Sequence, residues 1–374
     1  MLLISFRLFW VYPGSYTVFT SLVGFSRFLP VNTYFLPFLP VFTGKNREKG
    51  QKGFYLQPCI TLYNTPIPVN PKPTILGVTL DPMLTFRQHT DNINTKAKSR
   101  LNVLRALTHT KYGHSKKHIT QVYKQFSRPT LAYAHTAWQP LLKDTNLDKL
   151  QKTQNAALRT ATGCTKTTRT DHVHQETKVL KIQDHMDMRG THAYTSYTDP
   201  QHPLHYLTQE RPLNRNIRKT PAHYYSTLYN TLPPTPQNTS LRTHIHTHFT
   251  NRGITRMQHN TILDRHPPPI CDEELTLSRE ERVHLSRLRC GHHPALPSYT
   301  KRINLTDTDT CTLCNNAEGN LEHIILHCPH IQTHRLRYNI QSLEHLWTRP
   351  VEVYNFLHDA GVLQSTRTSP PHTQ

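Results

Sequence analysis

Cys311, Cys314, His323 and Cys328 are the residues of this 374-residue chain whose types and spacing suit a metal ion. They lie in the stretch CTLCNNAEGNLEHIILHC, a Cys-x2-Cys-x8-His-x4-Cys pattern. Two cysteines two residues apart can grip one ion from a tight turn. His323 and Cys328 stand about one and a half helical turns apart, so one short helix can close the site. Zinc favours four nitrogen or sulfur ligands in a tetrahedron, and a full protein set leaves no open position for water. The expected chemistry is therefore structural, with zinc affinity forming part of the local folding free energy. His327 competes with His323 for the third position. His323 is preferred because Leu321, Ile324 and Ile325 can then pack inward, with His330 and His334 toward solvent. The loop between the ligands carries Glu318 and Glu322. That acidity favours a folding clamp over a reader of nucleic-acid bases.

The elements that must hold this motif are helical. The preceding stretch EELTLSREERVHLSRLRCGHH predicts a helix begun at Thr276 or Ser278 and ended at Gly291. Glu280 and Glu281 sit early, where the helix dipole favours acids. Val283, Leu285 and Leu288 form its apolar side. Arg287, Arg289, His292 and His293 at its end suit either contact with nucleic acid or a solvated helix terminus.

Charge points to partners. The chain carries 44 Lys+Arg against 24 Asp+Glu, a net +20, which favours polyanions and nucleic acid first among them. Residues 85–170 hold 16 Lys/Arg and 3 Asp/Glu, a net +13. Apolar residues recur there at helical spacing. Ile93, Ala97, Leu101, Leu104 and Leu107 stripe one helix. Ser115 caps a second, with Ile119, Val122, Tyr123 and Phe126 inward and Pro129 at its end. Leu131, Tyr133, Ala134, Ala137 and Trp138 read as a third, buried segment. Leu147, Leu150, Gln154, Leu158 and Ala161 stripe a fourth, stopped by Gly163. The result is an antiparallel helical bundle with a basic exterior. Lys96, Lys98, Arg100, Arg105, Lys116, Lys117, Lys124, Lys152 and Arg159 are its candidate contacts to a phosphate backbone, a mode that grips without reading sequence. Ahead of it, Ile75, Leu76, Val78 and Leu80 form a short strand between Pro73 and Asp81-Pro82.

The chain divides by composition. Residues 1–57 are an apolar extension and linker, with no acidic residue before Glu48. The uncharged run from Leu8 to Ser26 is long enough to span a bilayer, so anchorage through residues 1–43 is a competing reading. Pro30, Pro37 and Pro40 break the next run, and no basic segment precedes the apolar stretch. Residues 58–170 hold the strand and bundle. Residues 171–270 read as a flexible linker rich in Pro, His and Thr, whose histidines lack a ligand pattern. Residues 271–363 form a small zinc-stabilised helical module, and 364–374 a disordered tail. The seven cysteines are too uneven for a disulfide framework and suit a reducing compartment, nucleus or cytoplasm. The fold class is mainly α.

Several blocks then share a resemblance. ILGVTLDPMLTFRQHTDNINTKAKSRLNVLRAL resembles the region just after the catalytic palm of reverse transcriptases of jockey-like non-LTR retrotransposons. YKQFSRPTLAYAHTAWQP, LDKLQKTQNAALRTATG, the Cys/His motif with its preceding helix, and LWTRPVEVYNFLHDAGVL resemble later blocks in the same order. The resemblance runs over about residues 60–363 and leaves out 1–50. It implies a primer grip at Leu76, Gly77 and Val78, a thumb-like bundle, and RNA or RNA–DNA duplex as partner. That family's polymerase activity rests on paired carboxylates that hold two metal ions. This sequence has no Asp-Asp pair. No residue here inherits a catalytic role, and the missing polymerase portion becomes a candidate partner. The competing class is a stand-alone zinc-stabilised nucleic-acid adaptor.

Overall fold

The computed structural model describes residues 61–363 apart from 64, 67, 69 and 210–219. The readings placed on residues 1–57 and 364–374 lie outside the described residues. Two units are distinguished, residues 1–67 and 68–374. In the first, β1 (Thr61–Leu62) pairs antiparallel with β2 (Thr65–Pro66). Everything that follows belongs to the second.

The expected strand at Ile75–Leu80 is instead a tight hairpin. β3 (Thr74–Ile75) pairs antiparallel with β4 (Val78–Thr79). Leu76 (φ 48°) and Gly77 (φ 81°) both take positive φ, as a two-residue hairpin turn with the right twist demands. Leu76 therefore points outward, 87% exposed, while Val78 is buried. The Tyr133 hydroxyl donates to the Leu76 carbonyl at 2.9 Å. Asp81 then accepts from the Thr85 and Phe86 N–H groups at 2.9 and 2.7 Å, fixing the entry to the first helix.

The bundle follows. α1 (Arg87–Leu107) buries Ile93, Ala97, Leu101 and Leu104 of the predicted stripe, while Leu107 is half-buried. α2 (Lys116–Val122) starts at Ser115, whose hydroxyl accepts from the His118 N–H. It widens into a π-helical turn, Tyr123–Ser127, and continues as α3 (Arg128–Leu131). Pro129 does not end the helix: it sits in the first turn of α3, where a missing N–H costs little. Phe126, expected inward, is 40% exposed with the Arg100 guanidinium 4.6 Å over its ring. The third segment is split by a left-handed Ala134 into α3 and α4 (His135–Trp138), and only part of it is buried. α5 (Asp144–Thr162) ends at Gly163 in the left-handed region, as expected.

The stretch expected to be a flexible linker is largely helical and packed. It contains α6 (Thr170–Thr177), α7 (Ile182–Tyr197), α8 (Tyr206–Gln209), α9 (Pro221–Asn230) and α10 (Leu241–Thr255). Its polar residues are the adhesive. Arg252 bridges Asp184 and Asp187 at 3.3 and 2.8 Å. Asp187 also accepts from Gln139 at 2.6 Å and from the Tyr224 hydroxyl at 2.9 Å. Histidines replace apolar residues: His174 bonds the Val179 carbonyl at 2.6 Å, and His244 the Pro233 carbonyl at 2.9 Å.

The last third comprises α11 (Arg279–Arg289), α12 (Pro297–Arg302), a π-helical turn at His323–His327, α13 (Gln332–Tyr338), α14 (His345–Thr348) and α15 (Pro350–Asp359). Ser278 starts α11 with a reciprocal capping box to Glu281. Leu285, Leu288, Leu321, Ile325, Trp347 and Phe356 belong to one apolar core. Hydrogen bonds from α11 back to α5 cross the expected boundary at residue 271. Arg279 donates to the Ala161 and Thr160 carbonyls at 2.6 and 3.1 Å, and Arg287 to the Gly163 carbonyl at 2.9 Å. These are the orphan carbonyls at the end of α5, which a cation satisfies well.

Candidate metal centre

Cys311 and Cys314 sit on a small knuckle. The Cys311 N–H donates to the Ala317 carbonyl at 2.7 Å, and the Asn315 N–H returns to the Cys311 carbonyl at 2.8 Å. Asn315 adopts a left-handed conformation at φ 54°, which Asn tolerates better than most residues. A bridge between Thr310 and Glu318 closes the base.

His323 and Cys328 come from the π-helical turn. In an α-helix of about 3.6 residues per turn, side chains five apart point about 140° apart. A turn closed by an i+5 bond returns to nearly the same face. The Cys328 N–H donates to the His323 carbonyl at 2.6 Å and makes that bond. The short helix expected from sequence is thus this wider turn. Asn320 caps it by accepting from the His323 N–H at 2.8 Å. Arg335 holds its exit, donating to the Ile325 and Cys328 carbonyls at 2.7 and 2.9 Å.

The four side chains converge. Their ligand atoms all lie within 4.8 Å of one another, and Cys314 Sγ is 3.3 Å from His323 Nε2. Zinc–ligand bonds of ~2.0–2.3 Å place tetrahedral ligands roughly 3.5–3.8 Å apart, so the set fits after small adjustments, the wider pairs closing and the Cys314–His323 pair opening slightly. Three thiols and one imidazole are a closed structural donor set with no free position. Cys311 and Cys328 are buried. Burial pushes the Cys328 thiol up to about 11, whereas the Asn316 N–H holds the Cys314 thiol below its ordinary value. Burial, then the nearby His327 and Arg335, holds His323 low and so neutral, the form a metal needs. His327 projects to solvent, its side chain 63% exposed. Leu321, Ile324 and Ile325 are buried, as their assignment to the inner face requires.

The candidate backbone contacts distribute unevenly. Lys96, Lys98, Arg105, Lys117 and Lys152 are exposed. With helical geometry, Lys96 and Arg100 flank one side of the buried α1 stripe and Lys98 and Arg105 the other, so they do not form one patch. Arg100 is half-buried and donates to the Phe126 carbonyl. Arg159, also half-buried, donates to the Thr168 carbonyl at 2.8 Å. Lys124 is half-buried and lines a cavity. Lys116 departs from the expectation: its ammonium is buried, 2.8 Å from Glu176 and 3.0 Å from Glu274. Arg289 departs likewise. It is 1% exposed, bridges the same two carboxylates and donates to the Leu346 carbonyl. This buried quartet of two acids and two bases was missed because charged residues read as surface.

Fold and centre together define a mainly helical, basic protein with a closed Cys3His cluster. Part of the chain is similar to the "Probable RNA-directed DNA polymerase from transposon X-element" of Drosophila melanogaster, with 26% identity over 165 residues. The match covers 44% of this chain and 18% of that protein, so the chain spans a small part of its relative. No family model and no solved structure matches. Among the described residues no helix is long and apolar enough to cross a membrane.

Proposed function

We propose that this chain is a nucleic-acid-binding part of a retrotransposon reverse transcriptase of the jockey-like non-LTR class. It corresponds to the region after the palm, with a thumb-like bundle that grips the backbone of RNA or an RNA–DNA duplex. The observation that carries this reading is the 165-residue similarity to the transposon polymerase. The exposed cations of α1, α2 and α5 support it. The Cys3His cluster takes zinc as a folding clamp, held by Cys311, Cys314, His323 and Cys328. When bound, zinc supplies a cross-link and no open coordination position. The chain lacks an Asp-Asp pair, so it positions nucleic acid and does not polymerise alone. The catalytic portion is its expected partner, in nucleus or cytoplasm.

Binding of a labelled RNA–DNA duplex to the full chain tests this. Affinity is expected to fall steeply between about 50 and 200 mM salt, with little dependence on sequence. Lys96→Glu and Lys98→Glu are expected to weaken binding and flatten the salt slope. Salt-insensitive binding, or efficient primer extension by the purified chain with Mg²⁺, would overturn the reading.

A further inference from the structure

A cavity of about 520 Å³ opens where α3, α7 and α10 meet the Pro267–Pro269 run. Its apolar lining includes Met188, Ile254, Met257 and Trp347. The charged lining has one sign. Lys124, Arg128 and Lys178 line the space with four imidazoles, and among the described residues no Asp or Glu lines it. None of these three cations forms an ion pair with a carboxylate among the described residues. Lys124 and Arg128 lie four residues apart on one continuous helical stretch, so their heads share a face. Burial first, and then their mutual repulsion, holds Lys124 below its ordinary range. Burial also lowers Arg128, with Arg189 adding to the effect. Acids in this chain are scarce and are spent on pairing elsewhere, at Asp184, Asp187, Glu176 and Glu274. Cations that line one cavity without a carboxylate counter-charge favour an anionic occupant.

We propose that this cavity binds one unpaired nucleotide, its phosphate held by Lys124, Arg128 and Lys178 and its base lying against Met188, Ile254 and Met257. The volume falls within the ~300–1,000 Å³ typical of small-molecule sites. Three cations match a phosphate better than a carboxylate. The imidazoles offer hydrogen bonds that a base edge can use and an aliphatic tail cannot. This goes beyond duplex binding by the exposed cations of α1, α2 and α5, since the occupant is a single-stranded residue in a separate place.

The test measures binding of fluorescent AMP to the full chain, with inorganic phosphate and octanoate as competitors and a blunt RNA–DNA duplex in parallel. Ile254→Trp adds bulk to the lining without changing charge, and Ile254 is 45% exposed, so the fold should tolerate it. Lys178→Glu reverses one exposed cation. Each variant is expected to weaken AMP binding by about tenfold or more, with Ile254→Trp leaving duplex affinity unchanged. Equal AMP binding by wild type and both variants, no AMP binding, or displacement by octanoate but not phosphate would overturn the site. If Ile254→Trp loses its helical circular dichroism, Lys178→Glu decides alone. Loss of duplex binding with AMP sensitivity retained would remove the duplex-binding reading and leave this site standing.

Discussion

Burial disfavours the charged form at both Cys328 and Glu274, and the neighbouring charges decide the outcome. At Cys328 it favours the protonated thiol, so the cluster depends on a metal to make its thiolates worthwhile. Cys311→Ser is expected to lower zinc from one ion per chain toward none, read as metal content after purification, with a loss of stability as large as metal-linked folding implies. At Glu274 burial alone would raise the carboxyl, but Lys116 and Arg289 outweigh it and pull it down to about 2. A carboxyl depressed in the folded state gives stability that is present above its unfolded value of 4.5 and lost as pH falls toward 2. Thermal melting should therefore weaken between these limits. Glu274→Gln is expected to flatten that slope and, at neutral pH, to cost about 3–5 kcal/mol by leaving buried cations short of a partner.

Single elements carry the next level of evidence. Gly163 ends α5 at φ 73°, and a Cβ there would lie 2.5 Å from Val283 Cγ2. Gly163→Ala meets both a backbone penalty of about 1–2 kcal/mol and a clash with α11, so it should destabilise by at least that amount in urea denaturation. Leu76 is the converse case. It holds a left-handed conformation with its side chain in solvent, so Leu76→Asn should stabilise by up to about 1 kcal/mol in the same measurement. Helix stops and starts such as Ser115, Gly163 and Ser278 were legible because caps use few residue types. The π-helical turn at His323–His327 was half legible: the ligand spacing was visible, but not the bond pattern that makes it work. The helices from residue 170 to 255 were not legible as packed structure. Their inner faces carry Asp184, His185, Asp187 and His244, which a hydrophobic stripe cannot reveal because their burial depends on partners far along the chain.

At the scale of the molecule, the question is whether the Cys/His region and the bundle fold together. The sequence suggested a separable module behind a loose linker. The buried quartet argues otherwise, since Lys116 comes from α2, Glu176 from α6, Glu274 from the approach to α11 and Arg289 from α11 itself. Separating the regions would leave these charges unpaired, at a cost of several kcal/mol. Cys290 adds to this by packing in the same cluster as Leu104 and Leu158 of the bundle. Such coupling makes metal binding at one end a contribution to the stability of the other. Two tryptophans can report it independently: Trp138 is buried in the bundle and Trp347 in the C-terminal core. With Trp10 and one of these two replaced by Phe, urea midpoints followed at Trp138 and at Trp347 are expected to coincide. Chelation of the metal should move both to lower urea together. A shift confined to Trp347, with the Trp138 midpoint unmoved, would show that the clamp stabilises only its own module and that the quartet contributes little to joining the two.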